Sequence, residues 1–390
     1  MNERSDPHTR GQARNGRSTI SRLLLIVIGA VILLGAGILM DRYTIWPLSI
    51  FATSTPAPSS IADQRAREAR LQLAEQRKTL KDNPNATFPE VPLGADHHFV
   101  PPGDDEMPDD EMGESIQRGR SIFVNTGTSA AQFTGNDLAC ANCHLDAGRR
   151  PGSAPLWGAW GVYPKYRGKN DMINTMEDRI HGCFTYSMNA PQSPSGGPPP
   201  ANHQIYKDLQ SYIFWLADGA PVGEPLPGQG YPELERTEKG FDYQRGADVF
   251  KNNCAVCHGI DGQGQKDLNG RQIFPPLWGP RSYNWGAGMH RVPTAAAFIK
   301  ANMPLGKRDY LSDQDAWDVA AYINSFPRPP DPRQVDEDLS IAEAKEKYHD
   351  DKKGYYGHSL RGQLLGEALD QSQWQRFQKE QALTIDNATP

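Results

Sequence analysis

Two short segments carry the residues best suited to chemistry. Cys140-Ala-Asn-Cys143-His144 and Cys254-Ala-Val-Cys257-His258 share the pattern Cys-x-x-Cys-His. Two thiols three residues apart on one turn can each form a thioether with a porphyrin vinyl group. The adjoining imidazole is then directed at the iron. A redox-active Cys-x-x-Cys pair or half of a zinc site would use the same cysteines. Zinc would need both segments pooled in one site, leaving their repeated flanks unexplained. Two covalently bound haem c groups are therefore expected, attached at Cys140, Cys143, Cys254 and Cys257, with His144 and His258 on iron. The chain has five cysteines, and the odd count argues against a pure disulfide scaffold.

Each iron has a second face to fill. For the haem at His258 the expected ligand is Met303, in Asn-Met-Pro-Leu-Gly. A thioether is soft and raises the haem potential. Met289 and His290 are weaker competitors. For the haem at His144, the stretch 176–189 offers His181, Cys183 and Met188. Cys183 has no partner left for an intrachain disulfide. As a thiolate it would donate strongly to iron, which favours it as the ligand. An inert buried cysteine or an interchain disulfide are the other readings, and Met188 either exchanges with Cys183 or lines the pocket. The carbonyls of Pro155 and Pro276 are expected to accept from Nδ1 of His144 and His258, fixing each ring's tautomer.

The elements that must position these residues form an internal repeat. QRGRSIF at 117–123 matches QRGADVF at 244–250, and each precedes a Cys-x-x-Cys-His. Pro-Leu-Trp-Gly follows at 155–158 and again at 276–279. Each copy closes on a helical pattern. Leu209, Tyr212, Ile213 and Leu216 form one apolar stripe, and Val319, Tyr322, Ile323 and Phe326 the other. The helices of each copy should cross near Gly119 or Gly246, where a glycine permits close approach. The reading is an all-α protein: two tandem class I-type cytochrome c domains at 114–222 and 234–328, joined by a linker at 223–233, with an N-terminal transmembrane helix.

That helix is expected at 23–40, an uninterrupted apolar run at the lower limit for spanning a bilayer. Residues 1–22 carry Arg4, Arg10, Arg14, Arg17 and Arg22, so they read as cytoplasmic and the rest as exported. A cleaved signal peptide is the alternative. Residues 41–113 read as linker and spacer, with a helical pattern at 61–80 and an acidic, solvated run at 103–114. The polar extension at 329–390 has helical patterns near 339–348 and 363–381. The net charge is −6, which gives no reason to expect nucleic-acid binding. Mean hydropathy is −0.65, which excludes a multi-span membrane protein.

With these residues in view, the layout over about 114–328 resembles the thiosulfate dehydrogenases, dihaem cytochromes c that couple two thiosulfates to tetrathionate. The most specific part is Arg179-Ile-x-x-Cys183-Phe-x-x-Ser187-Met188-Asn189. The resemblance implies that Cys183 is the axial ligand of an active-site haem and that Met303 serves a second, electron-exit haem. It implies thiosulfate and tetrathionate as substrate and product, a soluble or membrane cytochrome as acceptor, and a site at the periplasmic side of a bacterial inner membrane. The chain departs from the family at Thr185 and Tyr186, where a charged pair is common, and at Ala190, where glycine is frequent. Arg149, Arg150, Lys165, Arg167, Lys169 and Arg179 are the cations available to a dianionic substrate. Ser187 and Asn189 are candidate donors to its sulfonate oxygens. Cys183 would either leave the iron to open a site or carry a transient thiosulfate adduct. The other reading is a membrane-anchored dihaem electron carrier without substrate chemistry of its own.

Overall fold

The computed structural model describes residues 61–79, 91–168 and 170–386. Its longer helices are, in chain order, α1 (Ile61–Thr79), α2 (Glu111–Val124), α3 (Met176–Gly182), α4 (Gln204–Leu216) and α5 (Tyr243–Asn253). They continue with α6 (Val292–Asn302), α7 (Asp313–Ile323), α8 (Pro332–Asp336), α9 (Ile341–Tyr348) and α10 (Gln371–Asp386). Three small antiparallel hairpins, at 165–174, 265–274 and 359–364, are the paired strands among the described residues.

The two copies of the repeat are built alike. In the first, α2 crosses α4; in the second, α5 crosses α7. Each crossing is set by a glycine. A Cβ on Gly119 would lie 2.0 Å from the carbonyl oxygen of Asp208, and one on Gly246 would lie 1.9 Å from that of Asp318. The same two aspartates, both buried, receive an arginine from the facing helix. Arg118 pairs with Asp208 at 3.1 Å and Arg245 with Asp318 at 2.7 Å. Both expected stripes are buried. Leu209, Tyr212, Ile213 and Leu216 enter the first core, and Val319, Tyr322, Ile323 and Phe326 the second. In the second core Trp278 stacks on Phe326 with ring centroids 4.1 Å apart.

The acidic run at 103–114 is largely exposed, and ion pairs tie it to the fold. Asp104 pairs with Arg120 at 2.7 Å and with Arg149 at 2.6 Å. Asp105 and Glu106 receive Arg67 and Arg70 from α1, and Asp110 caps α2 by accepting from Gly113 N. The extension also packs. Leu365 and Trp374 are buried; of the helix expected near 363–381, α10 covers the part from Gln371, while 363–364 pair with 359–360 in a hairpin.

Among the described residues no helix is long and apolar enough to cross a membrane. The longest of them, α1, carries Asp63, Arg65, Arg67, Glu68 and Arg70. The expected transmembrane helix at 23–40 lies outside the described residues. The architecture of the described residues is corrected to two helical domains with no membrane-spanning helix among them. Anchoring at the inner membrane, with the membrane as a partner, is withdrawn with it.

Candidate active site

The first Cys-x-x-Cys-His turn is fixed by its neighbours. Thr126 Oγ1 accepts from Cys140 N at 3.1 Å and donates to Cys140 Sγ at 3.4 Å. His144 Nδ1 donates to the carbonyl of Ala154 at 2.6 Å, and His258 Nδ1 to that of Pro275 at 2.9 Å. A carbonyl only accepts, so each Nδ1 carries the proton and each Nε2 is left as a metal ligand. Burial pushes His144 down to about 4, which keeps the ring neutral. In both copies the acceptor is the residue before the expected proline. The prolines' own carbonyls are used elsewhere: Pro155 O accepts from Gly158 N, and Pro276 O from Ser282 Oγ.

Cys140, Cys143 and His144 line one largely apolar cavity of about 300 Å³ together with Cys183. Cys183 opens a π-helical turn, Cys183–Ser187, at the end of α3. Thr175 and Asp178 start α3 with reciprocal capping bonds, so the helix arrives at the cavity in a fixed register. Single π-turns are frequent at functional sites, because the extra residue re-aims side chains. One turn before Cys183, Arg179 Nη1 donates to its Sγ at 3.0 Å. The sulfur beside it pushes the Arg179 guanidinium above its ordinary pKa, more than burial pulls it down, so the group stays cationic. Burial pushes the Cys143 thiol up to about 12, and the neighbouring Cys183 sulfur adds to the rise.

The three ligand types of this stretch are sorted by direction. Cys183 and Met188 line the cavity. His181 is exposed and is not part of the lining. Of the cations, Arg167 and Arg179 line it, with Arg167 Nη1 donating to Tyr163 OH at 2.6 Å. Arg149 is held instead by Asp104 and Tyr212. Lys169 lies outside the described residues. Ser187 lines the cavity, but Asn189 does not. Asn189 is buried with a φ of 50° and accepts from Asn284 Nδ2 at 3.1 Å. It belongs to the seam between the domains and is not among the cavity's lining residues.

Sequence reasoning missed the linker. Gly230 and Gln229 line the cavity, and the linker backbone runs along the loop that orients His144. Gly152 N donates to Gly228 O and Ala154 N to Gly230 O, both at 2.8 Å. The one signal in the sequence is the pair of glycines, which take φ of 78° and 86° here.

At the second site, Cys254 and Met303 both pack against the second core. Met303 directly follows α6, whose last residue, Asn302, is buried. Asn302 Nδ2 donates to Gly152 O at 3.0 Å, across to the first domain. His290 is buried with both ring nitrogens engaged, by Ala287 O at 2.5 Å and by His349 at 3.2 Å. These donor sets fit two covalent haems.

A family model described as "SoxA/TsdA, cytochrome c domain" matches residues 130–222, and one described as "Cytochrome c" matches 243–327. The chain is 50 % identical over 273 residues to a thiosulfate dehydrogenase of Stutzerimonas stutzeri, covering 70 % of this chain and 86 % of that protein. The chain belongs to the thiosulfate dehydrogenase family. A thiosulfate dehydrogenase of Thiomonas intermedia is 46 % identical over 275 residues, covering 70 % of this chain and 84 % of that protein. The solved thiosulfate dehydrogenase (TsdBA) of Marichromatium purpuratum, in its as-isolated form, superposes with a TM-score of 0.67 at 50 % identity. The match covers 70 % of this chain and 59 % of that one. Membership in the thiosulfate dehydrogenase family makes the chain a dihaem c-type cytochrome, as its two attachment segments imply.

Proposed function

We propose that this chain joins two thiosulfate ions into tetrathionate in the cavity that holds Cys183 and passes the electrons to an external acceptor. The reaction forms one S–S bond between two sulfane sulfurs. Two electrons leave, and no proton is gained or lost. Bound at the two Cys-x-x-Cys-His segments, the haem pair supplies the uptake of those two electrons, one at each iron. Cys140, Cys143, His144 and Cys183 would hold the first group. Cys254, Cys257, His258 and Met303 would hold the second.

The observation that carries this reading is the contact of Arg179 with Cys183 Sγ at 3.0 Å inside the cavity that the first attachment segment lines. Thiosulfate is a dianion, and bringing two copies together needs fixed positive charge in a site of low dielectric. Arg179 and Arg167 supply that charge on the same wall system as Cys183. The Ser187 hydroxyl donates to a sulfonate oxygen, and the apolar remainder of the cavity excludes water from the sulfane sulfur. Arg179 thus serves the sulfur of the protein and the oxygens of the substrate, which aligns the substrate's sulfane end with Cys183.

The test is anaerobic turnover with thiosulfate and, separately, with tetrathionate. Cys183→Gly should keep both covalent haems, seen by pyridine haemochrome, and lose most turnover in both directions. Full tetrathionate formation by that variant would overturn the role of Cys183, whereas absence of turnover in the unmodified chain would make it an electron carrier.

A further inference from the structure

The Cys183 turn is gripped from the side opposite the cavity. A π-turn closes on a wider ring than an α-helix; here Met188 N donates to Cys183 O at 3.0 Å. Two of its carbonyls are bound by another part of the chain. Asn284 Nδ2 donates to Thr185 O at 2.9 Å, and Asn284 N to Tyr186 O at 3.3 Å. The shape of the turn is therefore set by tertiary contacts as much as by its own backbone. Within it, Cys183 and Ser187 line the cavity, while Phe184 is buried in the first core. Tyr186 is the large side chain that the turn offers to the C-terminal extension.

The extension meets it with a built group. The Arg333 guanidinium lies over the Tyr186 ring at 5.5 Å and over Tyr348 at 4.1 Å. It is held in place by Asp331, with Nη2 to Oδ2 at 2.6 Å and Nε to Oδ1 at 3.1 Å. Such two-point pairing fixes the plane of the guanidinium as well as its distance. Asp331 is fully buried. It also accepts from Arg333 N at 3.0 Å and bonds His349 Nε2 at 3.0 Å. His349 is tied in turn to His290 at 3.2 Å. At Gly286 all of this converges. A Cβ there would lie 2.3 Å from Tyr186 Cδ1 and 3.0 Å from Asp331 Oδ1.

We propose that the C-terminal extension sets the position of the Cys183 sulfur, with Arg333, fixed by Asp331, as a positioning residue that acts through Tyr186. This rests on the reading of Cys183 as an iron ligand. It also gives Tyr186 a use at the place where the sequence departs from its family's charged pair.

The test uses the full holoprotein with both haems attached. The readouts are the near-infrared thiolate-to-iron absorption, potentiometric titration of each centre, and kcat and KM for thiosulfate. Arg333→Gln should move the absorption and the potential of the first centre, leave the second centre in place, and lower kcat about tenfold with little change in KM. Arg333→Lys keeps a cation over the ring and should recover part of the wild-type signature. Gly286→Ala approaches from the other side. It leaves the Arg333–Asp331 pair in sequence but pushes on the Tyr186 ring, and should move the same signature. A first centre unchanged in Arg333→Gln, with only a lower melting temperature, overturns the proposal. So does an equal shift of both centres. A wild-type spectrum without the thiolate absorption overturns the ligand reading and this inference together, whereas a wild-type absorption that Arg333→Gln leaves intact overturns this inference alone.

Discussion

At the scale of single residues, the site is a sulfur with a guanidinium 3.0 Å away. Arg179→Gln removes the charge and leaves the cavity's shape. It should lower kcat/KM for thiosulfate roughly a hundredfold, the order found when one preorganised donor to developing charge is lost. Arg167→Gln, whose guanidinium also binds Tyr163, should act mainly on KM. Steady-state kinetics on the two variants separates these outcomes. Cys183 was legible in the sequence as the cysteine left over from the two Cys-x-x-Cys-His segments, and Arg179 and Ser187 lie four residues to either side of it. Direction was not legible. His181 and Cys183 are two residues apart and so lie on opposite faces of the helix end, and only the tertiary packing decides which face meets the cavity. Gln229 was hidden for another reason: it enters from a linker whose glycines show no periodicity.

At the scale of elements, the two helix crossings are the most constrained points of the fold. Gly119→Ala or Gly246→Ala places a methyl group about 2 Å from a facing carbonyl, where backbone and not a flexible side chain must give way. Each should cost about 1–3 kcal/mol as overpacking. Thermal melts followed by circular dichroism should show a lower midpoint for both, with an effect of similar size in the two copies. These crossings could be read in advance, since the repeated Gln-Arg-Gly marks them and the apolar stripes give the facing helices. The role of the acidic segment could not. Asp104 finds Arg120 and Arg149 only after the chain has folded back, and a run of acids without bases looks the same whether solvated or docked.

At the scale of the whole molecule, the extension is held together at Asp331, and His349 links that group to His290 of the second domain. Burial alone would raise that carboxyl, but the hydrogen bonds from His349 and Arg333 and the charge of Arg333 outweigh it and hold the group well below the usual carboxylate range. A depressed folded pKa means stability that is present above the unfolded value, about 3.9, and is lost as pH falls toward the folded one. Acid melts should therefore steepen below about pH 4, and Asp331→Asn should lower the melting temperature at neutral pH while flattening that acid limb. The sequence announced two repeated units and a polar tail, but nothing in the tail's composition marked it as bonded to the Cys183 turn. The linker run at 228–230 has one more consequence. Because its backbone bonds to residues 152–154, and Asn302 reaches back to Gly152, the loop that orients His144 depends on chain outside the first repeat. Severing the chain near 224, so that the linker leaves with the second domain, and expressing the pieces apart should yield an amino-terminal fragment whose His144 ring loses its orientation, and mixing the fragments should restore it.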